Sequence, residues 1–235
     1  MTQPVDLLER PVYGMAQIDR VLGLQSGTAK RWIDGYQRQG RHYEPVVRHE
    51  STGNDVATWG EFVETRLLSE YRDAGVPLIR LRPAVEMLRR ELGTPYPLAS
   101  ARIWLDVSGR ELVRRVQDVV SLDKPLQLVI VRTGQQVLDW SPQARDFSES
   151  SDWVNSGFGE QICRLRPRAS IEEVVIDPLV SFGEPTVQGR GVRTEIIGEL
   201  FRAGEPVDAI ADMYEMTRLQ VDAALRYELV RSQAA

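Results

Sequence analysis

Residues 13–50 carry two short amphipathic helical patterns separated by a very tight turn, and few folds accommodate this arrangement. Apolar residues lie on one side of the first pattern at helical spacing: Met15, Ile18, Val21 and Leu22. Gly23 can take the left-handed conformation that ends a helix, and Leu24 is a candidate for burial in the turn. Ser26 can cap the second helix, whose apolar stripe is Ala29, Trp32 and Ile33. The spacing predicts a helix-turn-helix.

Extended runs follow this unit. The runs YEPVVR (43–48) and DVATW (55–59) flank the turn sequence STGN, which predicts a hairpin, or wing, over residues 43–59. Thr58 and Glu61 have the spacing of a capping box, so we expect a helix from there to Gly75. Residues 77–92 predict another helix, bent near Pro83, and Gly93 marks a boundary.

The rest of the chain shows a mixed strand and helix pattern, followed by a helical pattern. In the central part, strands are predicted over residues 102–107 and over two runs within 126–140 that are joined at Thr133-Gly134. A helix capped near Ser108 is predicted over 108–120, and a loop over 141–160. Further extended runs are predicted over 161–167 and 171–178. After the glycine-rich turns of 181–194, residues 194–204, 206–216 and 217–231 predict helices, the last capped by Thr217. We therefore expect an α+β, mainly helical fold. Its domains would be a winged helix-turn-helix (11–93), a small central α+β module (100–176) and a C-terminal helical domain (177–230), whose last two helices resemble a second helix-turn-helix.

The exposed face of the second helix carries short polar and basic side chains, as a helix that reads DNA requires. The candidate DNA-contact residues there are Gln25, Ser26, Thr28, Lys30 and Arg31. Arg38, Arg41, Arg48 and His49 are expected to extend the contact to flanking phosphates. Residues 13–50 hold only 6 Lys and Arg against 4 Asp and Glu, so we expect a homodimer to be needed for binding. The alternative is a helix-turn-helix kept only for packing.

Catalytic groups are scarce. The chain has two histidines, His42 and His49, both in or near the predicted wing, and one cysteine, Cys163, which we expect to be a buried apolar residue. These residues make neither a zinc site nor a nucleophilic triad, and no phosphate-binding P-loop or dinucleotide fingerprint is present. The glycines around Arg190 are more consistent with a turn than with an anion site. We expect no enzymatic activity, no catalytic or metal-binding residues and no cofactor.

The charge of the chain is unevenly spread. Residues 170–235 hold 6 Arg against 12 Asp and Glu, a poor surface for DNA that suits a basic partner or simply solvent. The apolar stripe of the last two helices is expected to pack within the chain, between subunits or against another protein: Ile210, Met213, Val221 and Leu225. No run of eighteen apolar residues and no signal-peptide pattern occurs, which predicts a cytoplasmic protein that does not span a membrane.

Two stretches resemble known families. Residues 13–92, and especially the segment that begins WGEFVETRLLSEYRDAG, resemble the DNA-binding domain of MerR-type regulators. Asp19 stands where that group usually has a small residue, and Trp32 follows Arg31 where the group usually has tyrosine. The chain lacks the long heptad helix through which MerR-type regulators dimerise.

Residues 177–228 resemble a domain of unknown function found in VapB-type antitoxins. The resemblance is carried by Asp177-Pro178, Ser181-Phe182-Gly183, Pro185, Gly189, the run VRTEII and the tail from Ala203 to Leu229. The order of the segments resembles a whole-chain type of VapB-like antitoxin. It implies a protein that binds double-stranded operator DNA to repress its own operon and blocks the metal site of a PIN-type ribonuclease toxin.

Two rival hypotheses stay open. A stand-alone transcription regulator would sense a small molecule in its middle module, in a pocket lined by Trp104, Trp140 or Trp153. A pure protein-interaction subunit would have lost DNA binding. For the expected homodimer, the C-terminal helices are the candidate interface.

Overall fold

The computed structural model describes residues 6–72, 75–131, 138–157 and 159–233. The fold is α+β, as expected. Its α-helices within these ranges are α1 Met15–Leu22, α2 Thr28–Ile33, α3 Trp59–Glu70, α4 Arg82–Leu92, α5 Ala101–Leu105, α6 Val107–Val119, α7 Pro142–Glu149, α8 Thr194–Arg202, α9 Val207–Met213 and α10 Arg218–Gln233.

The strands form small antiparallel pairs. They are β1 Pro11–Gly14, β2 Tyr36–Arg38, β3 Arg41–Tyr43, β4 Val56–Thr58, β5 Val129–Val131, β6 Leu138–Trp140, β7 Ser151–Ser156, β8 Gly159–Leu165, β9 Val174–Val175 and β10 Thr186–Val187. Strand β1 pairs with β4, and the other strands pair in chain order as β2–β3, β5–β6, β7–β8 and β9–β10. The predicted turn at Thr133-Gly134 lies outside the described residues.

The N-terminal helix-turn-helix forms as the apolar pattern predicts. Helix α1 ends at Gly23, whose φ of +62° is left-handed, and Leu24 is buried in the turn. Helix α3 begins with the predicted capping box between Thr58 and Glu61 but ends at Glu70, before the predicted stop at Gly75. The bend predicted near Pro83 is instead a helix start, because Pro83 lies in the first turn of α4, after a 3₁₀ turn.

The hairpin is found earlier than predicted. Strands β2 and β3 make it over residues 36–43, with Arg38 opposite Arg41, whereas the run DVATW contributes β4 and pairs with β1. The predicted wing over 43–59 is therefore wrong. Residues 44–55 form an irregular loop instead, because the buried Arg48 holds that loop against the rest of the domain.

The central segment contains more helix than predicted. The strand predicted over residues 102–107 is wrong, because residues 101–105 form α5 and α6 begins at Val107. In α5, Trp104 is buried and its indole donates a hydrogen bond to the Leu98 carbonyl. The predicted loop over 141–160 contains α7 and β7. Helix α7 has Pro142 in its first turn, and the Ser141 hydroxyl accepts from the Ala144 amide. Helix α6 forms as expected, but the cap predicted near Ser108 is wrong: Asp106 precedes the helix, and no side chain of the described residues caps it.

One hydrophobic core runs through both the helix-turn-helix and the central segment, from Leu8 to Ile176. The packing is therefore continuous across residues 93–100, and the division of the chain into three domains stays a prediction. A second cluster fills the C-terminal helices, around Val187, Ile197, Ile210 and Val221.

Buried hydrogen bonds join the C-terminal segment to the N-terminal one. The Tyr227 hydroxyl donates to the Val21 carbonyl at 2.8 Å, and the Tyr13 hydroxyl donates to the Gly183 carbonyl. Thr217 caps α10 as predicted, since its hydroxyl accepts from the Gln220 amide. Met213, expected on the buried stripe, is exposed.

Across the described ranges, the structure has no helix that is both long and apolar enough to cross a membrane.

Candidate nucleic-acid interface

Helix α2 is fixed to α1 by the buried carboxylate of Asp19. Its two oxygens accept from the amides of Gly27 and Ala29, each at 2.7 Å. Burial raises the pKa of Asp19, and these hydrogen bonds together with Arg31 oppose the rise. The predicted Ser26 cap is therefore wrong. Gly27, at φ +76°, precedes the helix, and a side chain from the preceding helix supplies the acceptors.

Of the five polar residues expected on α2, Lys30 and Arg31 are exposed on the helix, whereas Gln25 and Ser26 are exposed in the turn that precedes it. Thr28, the fifth, is buried, and its hydroxyl accepts from Arg31 Nη2 at 2.8 Å. Thr28 therefore orients the Arg31 guanidinium and does not itself face outward. Lys30 Nζ lies 2.7 Å from Asp55 Oδ1 in a solvent-exposed ion pair, which has little energetic weight.

The β2–β3 hairpin places further basic groups directly after α2 in the chain. Tyr36 and Tyr43 stack across the hairpin, with ring centroids 4.6 Å apart and planes 4° apart. Arg38 and Arg41 are exposed and face each other in register, next to the turn of the hairpin. His42 is also exposed, with Nε2 3.5 Å from Glu44.

Arg48 is the predicted contact that the structure places elsewhere. Its guanidinium is buried, lies 2.8 Å from Asp34 and 2.7 Å from Glu61, and donates to the carbonyls of Asn54 and Val56. Burial alone would raise the pKa of Asp34, but hydrogen bonds from the Thr52 amide and from Arg48 outweigh it, and the pKa is lowered. Arg48 therefore organises the loop of residues 44–55 and is not available to a phosphate.

His49 is exposed but is engaged by helix α4. Its Nδ1 lies 2.8 Å from Glu86 Oε2, and Glu86 also contacts Arg89. Burial would raise the pKa of Glu86, but His49 and Arg89 together lower it. The structure thus groups His49 with an acidic residue of α4, and its contact with DNA stays a prediction.

Sequence reasoning missed Asp19 as the residue that positions α2. It registered Asp19 as a departure from the family pattern, and a carboxyl inside an apolar helical stripe was the signal that could have identified a buried cap.

Within the described ranges, no group of three or more His, Cys, Asp or Glu residues is placed to hold a metal ion. Cys163 lies half-buried in β8, where burial raises the pKa of its thiol. Among the tryptophans proposed for a sensor pocket, Trp104 and Trp140 are buried with ring centroids 4.7 Å apart, and Trp104 also packs on Phe147. These side chains fill the core.

Two family profiles match parts of the chain. Residues 11–85 match a family described as "Putative DNA-binding HTH domain", and residues 174–227 match one described as "Protein of unknown function (DUF433)". The first match covers α2 and the β2–β3 hairpin. The likeness to MerR-type regulators in particular stays a prediction.

Whole-chain relatives come from Mycobacterium tuberculosis strain H37Rv. The chain is 37% identical over 235 residues to the "Uncharacterized protein Rv2308", covering 97% of this chain and 96% of the relative. It is 30% identical over 229 residues to the "Putative antitoxin VapB45", covering 92% of each. The crystal structure of Rv2018 from Mycobacterium tuberculosis is similar, with a TM-score of 0.72, 25% identity and coverage of 94% of this chain and 99% of that one.

Proposed function

This chain belongs to the same protein family as Rv2308 and the antitoxin-named VapB45, and from that premise we propose that it is the antitoxin of a type II toxin–antitoxin module. In this proposal it acts in the cytoplasm by binding two kinds of partner, without catalysis and without a cofactor. One partner is the double-stranded operator DNA of its own operon, and the other is a ribonuclease toxin of the PIN type.

The exposed basic face of the helix-turn-helix is the observation that carries the DNA-binding part. Lys30 and Arg31 on α2 and Arg38 and Arg41 on the hairpin lie within the segment that matches a DNA-binding family. Exposed arginine and lysine side chains supply phosphate contacts, and Gln25 and Ser26 are short polar groups suited to base edges. We expect a homodimer that reads two half-sites.

For the toxin, we propose the groove between α8 and α10. It is lined mainly by apolar groups, and Phe201 and Leu229 are 49% and 62% exposed at its edge. Residues 194–233, which form this helical segment, hold 4 Arg against 8 Asp and Glu. Two acidic copies would repel each other, whereas an RNA-cleaving partner with a basic surface would be attracted. Charge complementarity therefore favours the toxin over a second copy in this groove.

Co-expression of the tagged chain with the protein of the neighbouring reading frame tests the proposal. We expect a stable complex, and a fragment upstream of the operon should be bound by the free chain and by the complex. Phe201→Asp and Leu229→Asp should each abolish co-purification, because a carboxylate would be buried against the partner. Met213→Asp, at an exposed apolar residue of α9 that does not line this groove, is the matched control.

Each result bears on a separate part of the proposal. A native chain that binds the upstream fragment but captures no neighbour would favour the stand-alone regulator. A chain that captures the neighbour but binds no DNA would favour the pure interaction subunit. Capture that survives both groove substitutions would move the toxin site elsewhere.

A further inference from the structure

A groove lies at the turn of the helix-turn-helix, beside the exposed face of α2. It has a volume of about 410 Å³ and is lined by Gly23, Leu24, Gln25, Thr28, Arg31, Trp32 and Arg72. Six of these seven residues belong to the helix-turn-helix itself. Arg72 follows the end of α3 and is brought to the groove only by the fold.

The two arginines that line the groove are held by the surrounding structure. Arg31 Nη2 donates to the Thr28 hydroxyl at 2.8 Å, and Arg72 Nη1 donates to the Gly23 carbonyl at 3.1 Å. A guanidinium has five N–H donors, so one orienting contact does not by itself prevent it from binding a ligand. Orienting contacts of this kind lower the conformational entropy that is lost when a ligand binds.

A third arginine adds positive charge from the central segment. Arg168 Nη2 donates to the Leu22 carbonyl at 3.0 Å, one residue before the carbonyl that Arg72 holds. Burial lowers the pKa of Arg168, and the positive charges of Arg72 and Arg66 lower it further. The three guanidinium groups are therefore close enough for electrostatic repulsion between them. Among the described residues, two acids partly balance this charge. Glu70 pairs with Arg66, and Asp19 is occupied by the amides of α2.

We propose that this groove binds a backbone phosphate of duplex DNA between Arg31 and Arg72, with Arg168 strengthening the local positive field. The inference rests on the proposed DNA binding and adds a contact outside the segment that sequence reasoning selected. Residues 13–50 carry a net charge of only +2, and the fold supplements it with Arg72 and Arg168, which lie far away in sequence. A phosphate bound here would fix the register of α2 on the duplex.

Salt-dependent binding of a labelled duplex tests the site without knowledge of the operator, because phosphate contacts do not depend on sequence. The probe is a fluorescein-labelled mixed-sequence duplex of about 40 base pairs, titrated by anisotropy at several salt concentrations. Loss of one phosphate contact should lower the slope of log K against log salt by about 0.9, which is roughly an eightfold loss of affinity at about 0.1 M salt.

We expect Arg72→Gln to show this loss and Arg72→Lys to keep most of the slope, since lysine retains the charge. Arg115→Gln on α6 removes the same charge from a 65% exposed side chain and is the matched control. Thermal unfolding of each variant measures the stability that is lost with the hydrogen bond to Gly23. The salt slope of duplex binding changes only when a phosphate contact is lost, so the two measurements separate the two effects.

An Arg72→Gln slope equal to that of Arg115→Gln would overturn the phosphate site and leave the DNA-binding proposal intact. The phosphate site would also be overturned if Arg72→Lys and Arg72→Gln had equal salt slopes, both below that of the native chain. Such a result would show that the positive charge at residue 72 does not cause the change in slope. If the native chain does not bind the duplex even at low salt, the proposed DNA binding itself fails, and the phosphate site fails with it.

Discussion

Asp19 is a single residue on which the orientation of α2 depends. Replacement by alanine leaves the partly buried amide of Gly27 and the buried amide of Ala29 without their acceptors. We therefore expect Asp19→Ala to lower the free energy of unfolding by about 2 kcal/mol. Urea denaturation measures this change. DNA affinity should also fall, because α2 would no longer be held in place.

Asp55→Ala is the control for Asp19, since Asp55 is 73% exposed and pairs only at the surface with Lys30. We expect it to change stability by less than about 0.5 kcal/mol. An Asp19→Ala variant as stable as Asp55→Ala would show that α2 does not need this cap.

Glu64 on α3 should make stability depend on pH. Its carboxyl is fully buried, with one oxygen accepting from the Leu98 amide at 2.7 Å and the other without a hydrogen-bond partner in the described structure. Burial raises the pKa of Glu64 from 4.5 to about 8, so the folded chain keeps a proton that the unfolded chain has released. The free energy of unfolding should therefore fall as pH rises through this interval, by up to about 1.4 kcal/mol per unit.

Glu64→Gln isolates this contribution, because glutamine has nearly the same shape and no charge to lose. Denaturation at pH values between about 5 and 9 should show the native chain losing stability relative to the variant as pH rises. A difference between the two proteins that stays constant over that range would contradict the raised pKa.

At the residue scale, the sequence predicted which side chains are buried better than it predicted which partners they contact. The periodicity of α1 correctly gave Met15, Ile18, Val21 and Leu22 as buried. Arg48 looks in the sequence like any basic loop residue, and its pairing with Asp34 and Glu61 depends on how the chain folds back. Periodicity reports which side of a helix is apolar, but it carries no information on which distant side chain satisfies a buried charge.

At the scale of elements, the β2–β3 hairpin has a testable share in DNA binding. Arg38 and Arg41 are exposed on it and contribute two positive charges. We expect the double variant Arg38→Gln/Arg41→Gln to lower the salt slope of duplex binding by up to about 1.8, if each contacts one phosphate. The free energy of unfolding should change by less than about 0.5 kcal/mol, because both side chains are on the surface.

The matched control for the hairpin is Arg114→Gln/Arg115→Gln, which removes two exposed charges from α6. Equal salt slopes for the two double variants would mean that the hairpin acts only through net charge.

Element boundaries were predictable where local signals were strong. The capping box at Thr58 and the glycines that end α1 and α4 gave correct helix ends. The sequence RIWLDV is rich in strand-forming residues yet forms α5, because burial of Trp104 against the core outweighs a weak local preference. The hairpin was misplaced because its turn, Gln39-Gly40, lies in a short polar stretch without the apolar alternation that marks longer strands.

At the scale of the whole molecule, helix α10 contacts both the helix-turn-helix and the central segment. The third apolar cluster contains Ile171 and Val174 from the central segment and Ala223 and Tyr227 from α10. The buried face of α10 is thus used inside the chain, and the α8–α10 groove that we propose for the toxin is lined by other residues of α10. Sequence periodicity showed that an apolar stripe exists there, but not what covers it.

This packing predicts that the chain unfolds in one transition. All five tryptophans precede residue 177, at positions 32, 59, 104, 140 and 153, so their fluorescence follows the helix-turn-helix and central segments, whereas far-ultraviolet circular dichroism also follows α8 to α10. We expect the two urea transitions to coincide.

Tyr227→Phe should shift the fluorescence midpoint although it lies outside the tryptophan-containing part. It removes the hydrogen bond to the Val21 carbonyl, at the end of α1, and should cost about 1 kcal/mol. Tyr214→Phe is the control, at a half-buried tyrosine whose hydroxyl has no partner among the described residues. If Tyr227→Phe moves only the circular dichroism transition, the C-terminal helices unfold independently. The proposed toxin binding at the α8–α10 groove could then not be coupled through α1 to α2, the helix proposed to contact DNA. A shared shift gives such coupling a physical route.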